Sequence, residues 1–154
     1  MARLFEEDIP LPGTVRIIPR ADLTPEQMAQ NLAWSHVVCQ PSRGEAFGLI
    51  PLEALCCGVP VVATDCTGHS EYLGSSGHAE GVEIIATGSL TPIDDLPGAM
   101  APSLDPQEIA RALKLARDIW GALQDEAQQN AAHWQRLWSW KEKLRPFVEL
   151  LRNP

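Results

Sequence analysis

Two glutamates in the pattern Glu45-x7-Glu53 flank Gly48, inside a run from Pro41 to Leu73 that reads PSRGEAFGLIPLEALCCGVPVVATDCTGHSEYL. Their spacing carries chemistry if a helix begins at Gly48. A helix start leaves four backbone N–H groups unpaired and bears a partial positive charge, which together make an anion site. Gly48 would let a ligand approach the backbone closely. Glu45 falls in the turn just before, Glu53 one turn in, and helical side chains lean toward the N-terminus, so both carboxylates face one opening. Two carboxylates repel a phosphate placed directly on them. They fit as acceptors for hydroxyl groups flanking a phosphate that the amides hold. The ligand so implied has phosphates in the middle and hydroxyl-rich rings at both ends. A plainer reading stands beside it: both glutamates merely complement the helix dipole, at about 0.3–1 kcal/mol each.

The elements that must position these residues are local and punctuated. Val37–Cys39 and Val61–Ala63 are apolar strand candidates, and Leu49–Cys57, closed by Gly58, is a short helix between them. Pro51 limits where that helix starts, because proline is harmless only in the first turn. Strand, glycine-containing turn, helix, Gly58–Pro60 exit and strand make a βαβ unit with parallel strands. The fold class is therefore α/β. Upstream, residues 1–13 read as a lead-in and Val15–Ile18 as a first strand. Thr24, Pro25 and Gln27 form a capping signal for a helix over Pro25–Trp34. Downstream, the turn Thr64–Gly68 leads into a short helix around Ser70–Leu73, a second strand-to-helix junction at the sheet's carboxyl edge. His69 and Glu71 either line a pocket there or cap and solvate the helix start. Val82–Ala86 is a further strand. Residues 87–104, with Gly88, Pro92, Pro97, Gly98 and Pro102, read as an irregular stretch over one surface. Asp105, Pro106, Gln107 and Glu108 signal a helix start, with Ile109, Leu113, Ala116, Trp120 and Leu123 at helical spacing. A further helix is expected over 124–136, then an apolar face of Leu144, Phe147, Val148 and Leu151 with Pro146 marking a kink or a restart.

The dense stretch at 41–63 resembles the donor-binding domain of retaining family-4 glycosyltransferases. The residues that carry the resemblance are Pro41-Ser42, Glu45-x7-Glu53, Phe47-Gly48-Leu49, Leu52-Glu53-Ala54 and Cys57-Gly58-Val59-Pro60-Val61-Val62-Ala63. A looser likeness runs from Val15 to the C-terminus. The resemblance implies a Rossmann-like parallel sheet with flanking helices and a helical C-terminal extension, one half of a two-domain enzyme. By the same implication Glu45 holds the transferred sugar and is the catalytic residue. Glu53 holds the ribose, and Phe47, Gly48, Leu49, Ile50 and Gly68 surround the diphosphate. The donor would be a UDP-, GDP- or ADP-sugar, with no metal or other cofactor. The chain departs from the family in having Thr67-Gly68 where Gly-Gly is usual. It also does not encode the upstream Arg and Lys that normally face the diphosphate. Arg43 either substitutes for them or is a solvated loop residue.

Composition narrows the partners. A length of 154 residues suits one domain, with 14–137 as the partial Rossmann-like unit and 138–154 as a C-terminal helix. The acceptor-binding N-terminal domain is expected as a missing partner, in the same gene or as a separate chain. Twenty acidic against twelve basic residues, net −8, argue against nucleic acid. No apolar run reads as a signal peptide or a spanning segment, so the expectation is a cytoplasmic protein that meets membrane only through its acceptor. Cys39, Cys56, Cys57 and Cys66 fit a reduced compartment. Cys66-x2-His69 has no second ligand pair at zinc spacing, and His69-Ser70-Glu71 lacks the downstream cysteines of a zinc deaminase. Five tryptophans, three at 134, 138 and 140, are either packing or a surface stripe. Trp138-Ser139-Trp140 matches an aromatic-Ser-Trp run near the end of the family. Three functions remain open on the sequence: the donor half of a sugar transferase, a non-catalytic nucleotide-sugar binder, and a protein-interaction module.

Overall fold

The computed structural model describes residues 23–73, 81–93 and 96–152. The strand expected at Val15–Ile18 lies outside them. The first described element is helix α1, Pro25–Ala33. Thr24 caps it reciprocally: its hydroxyl accepts from Gln27 N–H while the Gln27 side chain accepts from Thr24 N–H at 2.9 Å. Strand β1 (Val38–Gln40), helix α2 (Leu49–Cys56) and strand β2 (Val61–Thr64) form the expected crossover unit, and β3 (Val82–Ile85) joins them. The three strands are parallel in the order β1-β2-β3, with Val38 beside Val61 and Val61 beside Val82.

Alternation along the strands divides two cores. Val61 and Ala63 of β2 face one side, with Leu52, Leu55, Leu73 and Trp134, while Val62 faces the other with Ile85, Ala112, Ala116 and Leu123. Helices therefore cover both faces, as parallel strands that are buried on both sides require. Leu55 and Leu73 are almost wholly buried, each worth about 1.5–3 kcal/mol of transfer free energy. α2 leaves toward β2 through Gly58, which holds a left-handed φ of 71° and is followed by a Val59 N–H bond to Ala54 O at 2.9 Å. The result is a Rossmann-like α/β domain.

Three expectations need correction beyond the sheet. Residues 87–104 are not irregular: Leu90–Ile93 (β4) and Leu96–Pro102 (β5) pair antiparallel, with a register shift at Pro92/Ile93. A two-stranded ribbon has outward-facing edges everywhere, so prolines that would break a central strand are tolerated. The helices after Asp105 are divided elsewhere than expected. α3 (Pro106–Asp118) and α4 (Trp120–Leu137) meet at Ile119, whose φ of −110° and ψ of 18° interrupt the helix. Trp120 and Leu123 thus belong to α4, and neither glycine nor proline marks the break. α5 (Trp140–Arg152) runs through Pro146 rather than restarting there. Two smaller differences are a β3 that stops before Ala86 and a single 3₁₀ turn, Thr67–Glu71, in place of the helix at 70–73. Among the described residues no helix is long and apolar enough to cross a membrane.

Candidate functional site

The loop 41–48 joins β1 to α2 at the carboxyl ends of the parallel strands, and the loop after β2 lies against it. Two glycines allow that approach. A Cβ on Gly68 would run into Phe47 Cα and Ala46 O, and Gly68 N–H instead donates to Glu45 O at 3.1 Å. Thr67 completes the clasp: its hydroxyl accepts from Glu45 N–H at 2.8 Å and sits 2.9 Å from Glu45 O. Deeper in, Thr64 Oγ1 donates to Ser42 O at 2.5 Å, and Cys66 Sγ to the same carbonyl at 3.2 Å. The Gly68 amide is thus committed to the partner loop, and the residue's part in the site is to let the two loops meet.

Glu45 is held as an anion. Its Oε1 accepts from Ser42 Oγ at 2.7 Å and from Gln40 Nε2 at 3.1 Å. The Ser42 hydroxyl keeps the carboxyl below the usual glutamate range, aided by Gln40 and His69 and opposed by desolvation. Ser42 belongs to the Pro41-Ser42 pair that carries the resemblance. Gln40 and Thr67 were not legible as functional, because nothing local shows that one reaches the Glu45 carboxylate and the other its backbone.

Gly48 is the N-cap of α2, at φ 79°, and among the described residues no side chain caps that helix. The first-turn amides around Gly48, Leu49 and Ile50 therefore have no capping acceptor from a side chain. The packing behind the turn gives a further reason for glycine at position 48. A Cβ at Gly48 would overlap the His69 ring and lie 3.1 Å from Tyr72 Oη. His69 is fully buried beneath the turn, with Nδ1 2.9 Å from Thr64 O. Because a carbonyl only accepts, Nδ1 carries the proton, and Nε2 has no hydrogen-bond partner among the described residues. His69 thus supports the turn from behind, and Glu71 is exposed. Tyr72 donates its hydroxyl to Gly48 O, and burial, then Glu45, pushes its own pKa well up.

Phe47 turns its ring into an aromatic cluster, 5.4 Å from Tyr72 and 5.2 Å from Trp138 between centroids. Glu53 lies on the other flank of the turn. It is half-buried, has no ion pair among the described residues, and lines a 520 Å³ groove between α1 and α2 with Leu23, Thr24, Met28, Leu49 and Ile50. The structure thus brings Glu45, Phe47, Gly48 and Gly68 into one clasp. Leu49 and Ile50 connect that clasp to the groove that holds Glu53. Arg43 faces neither: its guanidinium donates to Pro102 O at 3.0 Å and Thr91 Oγ1 at 2.7 Å, tying the β4–β5 hairpin to the loop. Among the described residues no three His, Cys, Asp or Glu side chains are grouped to hold a metal ion.

Comparison with known proteins points the same way. The family described as "Family 4 Glycosyltransferase in conflict systems" matches residues 16–147. The lipopolysaccharide core biosynthesis mannosyltransferase LpsB of Rhizobium meliloti is 39% identical over 98 residues, 63% of this chain and 28% of that protein. The D-inositol 3-phosphate glycosyltransferase of Corynebacterium urealyticum is 32% identical over 151 residues, 96% of this chain and 30% of the relative. That of Nocardioides sp. is 29% identical over 141 residues, 90% of this chain and 26% of the relative. The chain thus spans under a third of the length of these relatives. No solved structure matches it.

Proposed function

Since this chain belongs to the family 4 glycosyltransferases, we propose that it forms the donor-binding half of such an enzyme, moving a sugar from a nucleoside-diphosphate-sugar to an acceptor hydroxyl. One observation carries the reading: an uncapped helix start lies between a carboxylate held ionised, Glu45, and a carboxylate lining a groove, Glu53. The groove of 520 Å³ is within the usual range of about 300–1,000 Å³ for small-molecule sites. In this assignment Glu53 accepts from the ribose hydroxyls and the nucleoside lies along α1. The amides around Gly48, Leu49 and Ile50 take the diphosphate, and Glu45 accepts from the sugar. Phe47 and Gly68 hold the turn in shape.

The chemistry follows from where charge develops. The bond between sugar C1 and the diphosphate oxygen breaks while a bond from C1 to the acceptor oxygen forms, and the acceptor's hydroxyl proton passes to the departing diphosphate oxygen. Negative charge grows on the departing diphosphate, and oriented amides stabilise it without reorganising. The acceptor approaches from the same face, so the anomeric configuration is retained. The second wall of the cleft comes from a further domain, as the length of the relatives supports. The mannosyltransferase among those relatives supports a hexose as the transferred sugar. A non-catalytic module is less favoured, because both Glu45 and Glu53 are intact.

Thermal unfolding in the presence of UDP, GDP or ADP tests the proposal. At least one of them should raise the midpoint, since a ligand that binds only the folded chain stabilises it. No shift with any of the three at concentrations near 1 mM, about where weak specific sites still bind, overturns it.

A further inference from the structure

Gly48 and Leu49 share the peptide that opens α2, and the direction of its N–H decides whether that amide can serve a ligand. In a planar trans peptide the C=O and the following N–H point in opposite directions. Gly48 has no side chain to limit its ψ of 69°, so nothing local sets that plane. Tyr72 sets it from outside the turn, because its hydroxyl donates to Gly48 O. The carbonyl is thereby drawn inward, toward a residue only 4% exposed, and the Leu49 N–H is turned outward. Leu49 is exposed, and its N–H finds no acceptor among the described residues. On the donor-site reading above, we propose that Tyr72 is a positioning residue for the diphosphate, its hydroxyl holding the Leu49 amide toward the ligand.

His69 supplies a second, independent observation at the same turn. It is fully buried, and its ring edge and Tyr72 Oη both face the bare Cα of Gly48: a Cβ there would overlap the imidazole and lie 3.1 Å from the hydroxyl. The hydroxyl has one proton to give. It gives that proton to Gly48 O, and His69 Nε2, aimed at the turn, stays without a partner among the described residues. Buried acceptors are rarely left so. The fold leaves this one unpaired and keeps the bond to the carbonyl, which is the bond that fixes the direction of the Leu49 amide. Burial and the Glu45 charge keep the hydroxyl protonated, so it remains a donor at neutral pH. Packing alone does not require it. The ring lies against Phe47, Trp138 and His69, with centroids 5.4, 5.9 and 6.1 Å away, and phenylalanine would fill that space equally well. Buried as it is, Tyr72 acts on the ligand only through the backbone of the turn.

The test is NMR of the full chain carrying isotopically labelled leucine, with inorganic pyrophosphate as the probe at about 1 mM, where weak specific sites still bind, and UDP, GDP and ADP in parallel. In the parent chain the Leu49 amide should exchange freely with solvent, and its resonance should move when pyrophosphate is added. Tyr72→Phe should keep the amides of Val61–Thr64 as protected as in the parent. It should bind pyrophosphate and the nucleotide about tenfold more weakly, the worth of one hydrogen bond to a charged group. A Leu49 amide that is protected in the parent, or that pyrophosphate leaves unmoved, overturns the proposal, and neither result depends on the variant folding. So does a Tyr72→Phe chain that binds pyrophosphate as tightly as the parent. Loss of binding together with loss of protection across Val61–Thr64 also overturns it, since Tyr72 would then be merely structural. If pyrophosphate shows the expected pattern while none of the three nucleotides binds, the donor-site reading falls and the role of Tyr72 stands. Nucleotide binding that Tyr72→Phe leaves unchanged does the reverse.

Discussion

Gly48→Ala probes the support beneath the turn that opens α2. Two costs add in this variant. Alanine in the left-handed region, which Gly48 occupies at φ 79°, costs about 1–2 kcal/mol. The new Cβ also overlaps the His69 ring, and His69 cannot retreat, being fully buried and tied to Thr64 O. Overpacking of that kind costs about 1–3 kcal/mol. The sum is about 2–5 kcal/mol. Gly98→Ala is the internal control, because Gly98 has φ 80° but open space around its Cβ position, so only the backbone cost of about 1–2 kcal/mol applies. Urea unfolding of both variants, and of Gly48→Ala in a His69→Ala background, reads the difference. The excess at Gly48 should shrink once the imidazole is gone, since contacting residues couple. Equal destabilisation at Gly48 and Gly98 would refute the claim that His69 shapes the turn.

Other consequences follow from the same geometry. Ser42→Ala removes the main contact that keeps Glu45 ionised, so the Glu45 carboxyl should titrate higher by NMR; no change would contradict the network. A carboxyl with a lowered folded pKa stabilises above its unfolded value of about 4.3 and loses that contribution as pH falls through the folded one. Ser42→Ala should flatten this acid-side loss. Tyr72, the single tyrosine, has a raised pKa, so its stabilising effect is full below about pH 10 and lost as pH rises further. Phenolate absorbance should therefore appear only with unfolding, and an ordinary titration in the folded state would count against its burial. Arg43→Ala should speed amide exchange across Leu90–Pro102 and leave β1–β3 protected, because Arg43 ties the hairpin to the loop. Unchanged exchange in the hairpin would show that those bonds hold nothing.

What could be read from the sequence was local. The α2 crossover unit was legible from Pro51, Gly58 and two apolar runs, and α1 and α3 from their caps at Thr24 and Asp105. The hairpin was not, since Pro92, Pro97 and Pro102 argue against strands unless the partner's edge is known to be free. The break at Ile119 was hidden because both sides keep helical spacing. At the site, the glycine at 48 was recognised but its neighbour was not. A requirement for glycine looks the same in sequence whether a ligand or a buried imidazole occupies the space. The acceptor groups of Glu45 and Glu53 were legible as types. Which of them is bound by Ser42 and Gln40, and which faces a groove, needed the packing of three loops.

The most direct test of the donor-site account is calorimetric titration of Glu45→Gln and Glu53→Gln with a nucleoside diphosphate and with its sugar conjugate. Glutamine keeps an acceptor oxygen but loses the charge, and a hydrogen bond to a charged group is worth about 1.5–3 kcal/mol, roughly tenfold or more in affinity. Glu53→Gln should weaken both ligands about equally, because both carry the ribose. Glu45→Gln should leave the bare nucleotide almost unchanged and weaken the nucleotide-sugar. Equal losses for the two ligands at Glu45, or no loss for either at Glu53, would contradict the account and leave the two carboxylates as partners of the helix dipole alone.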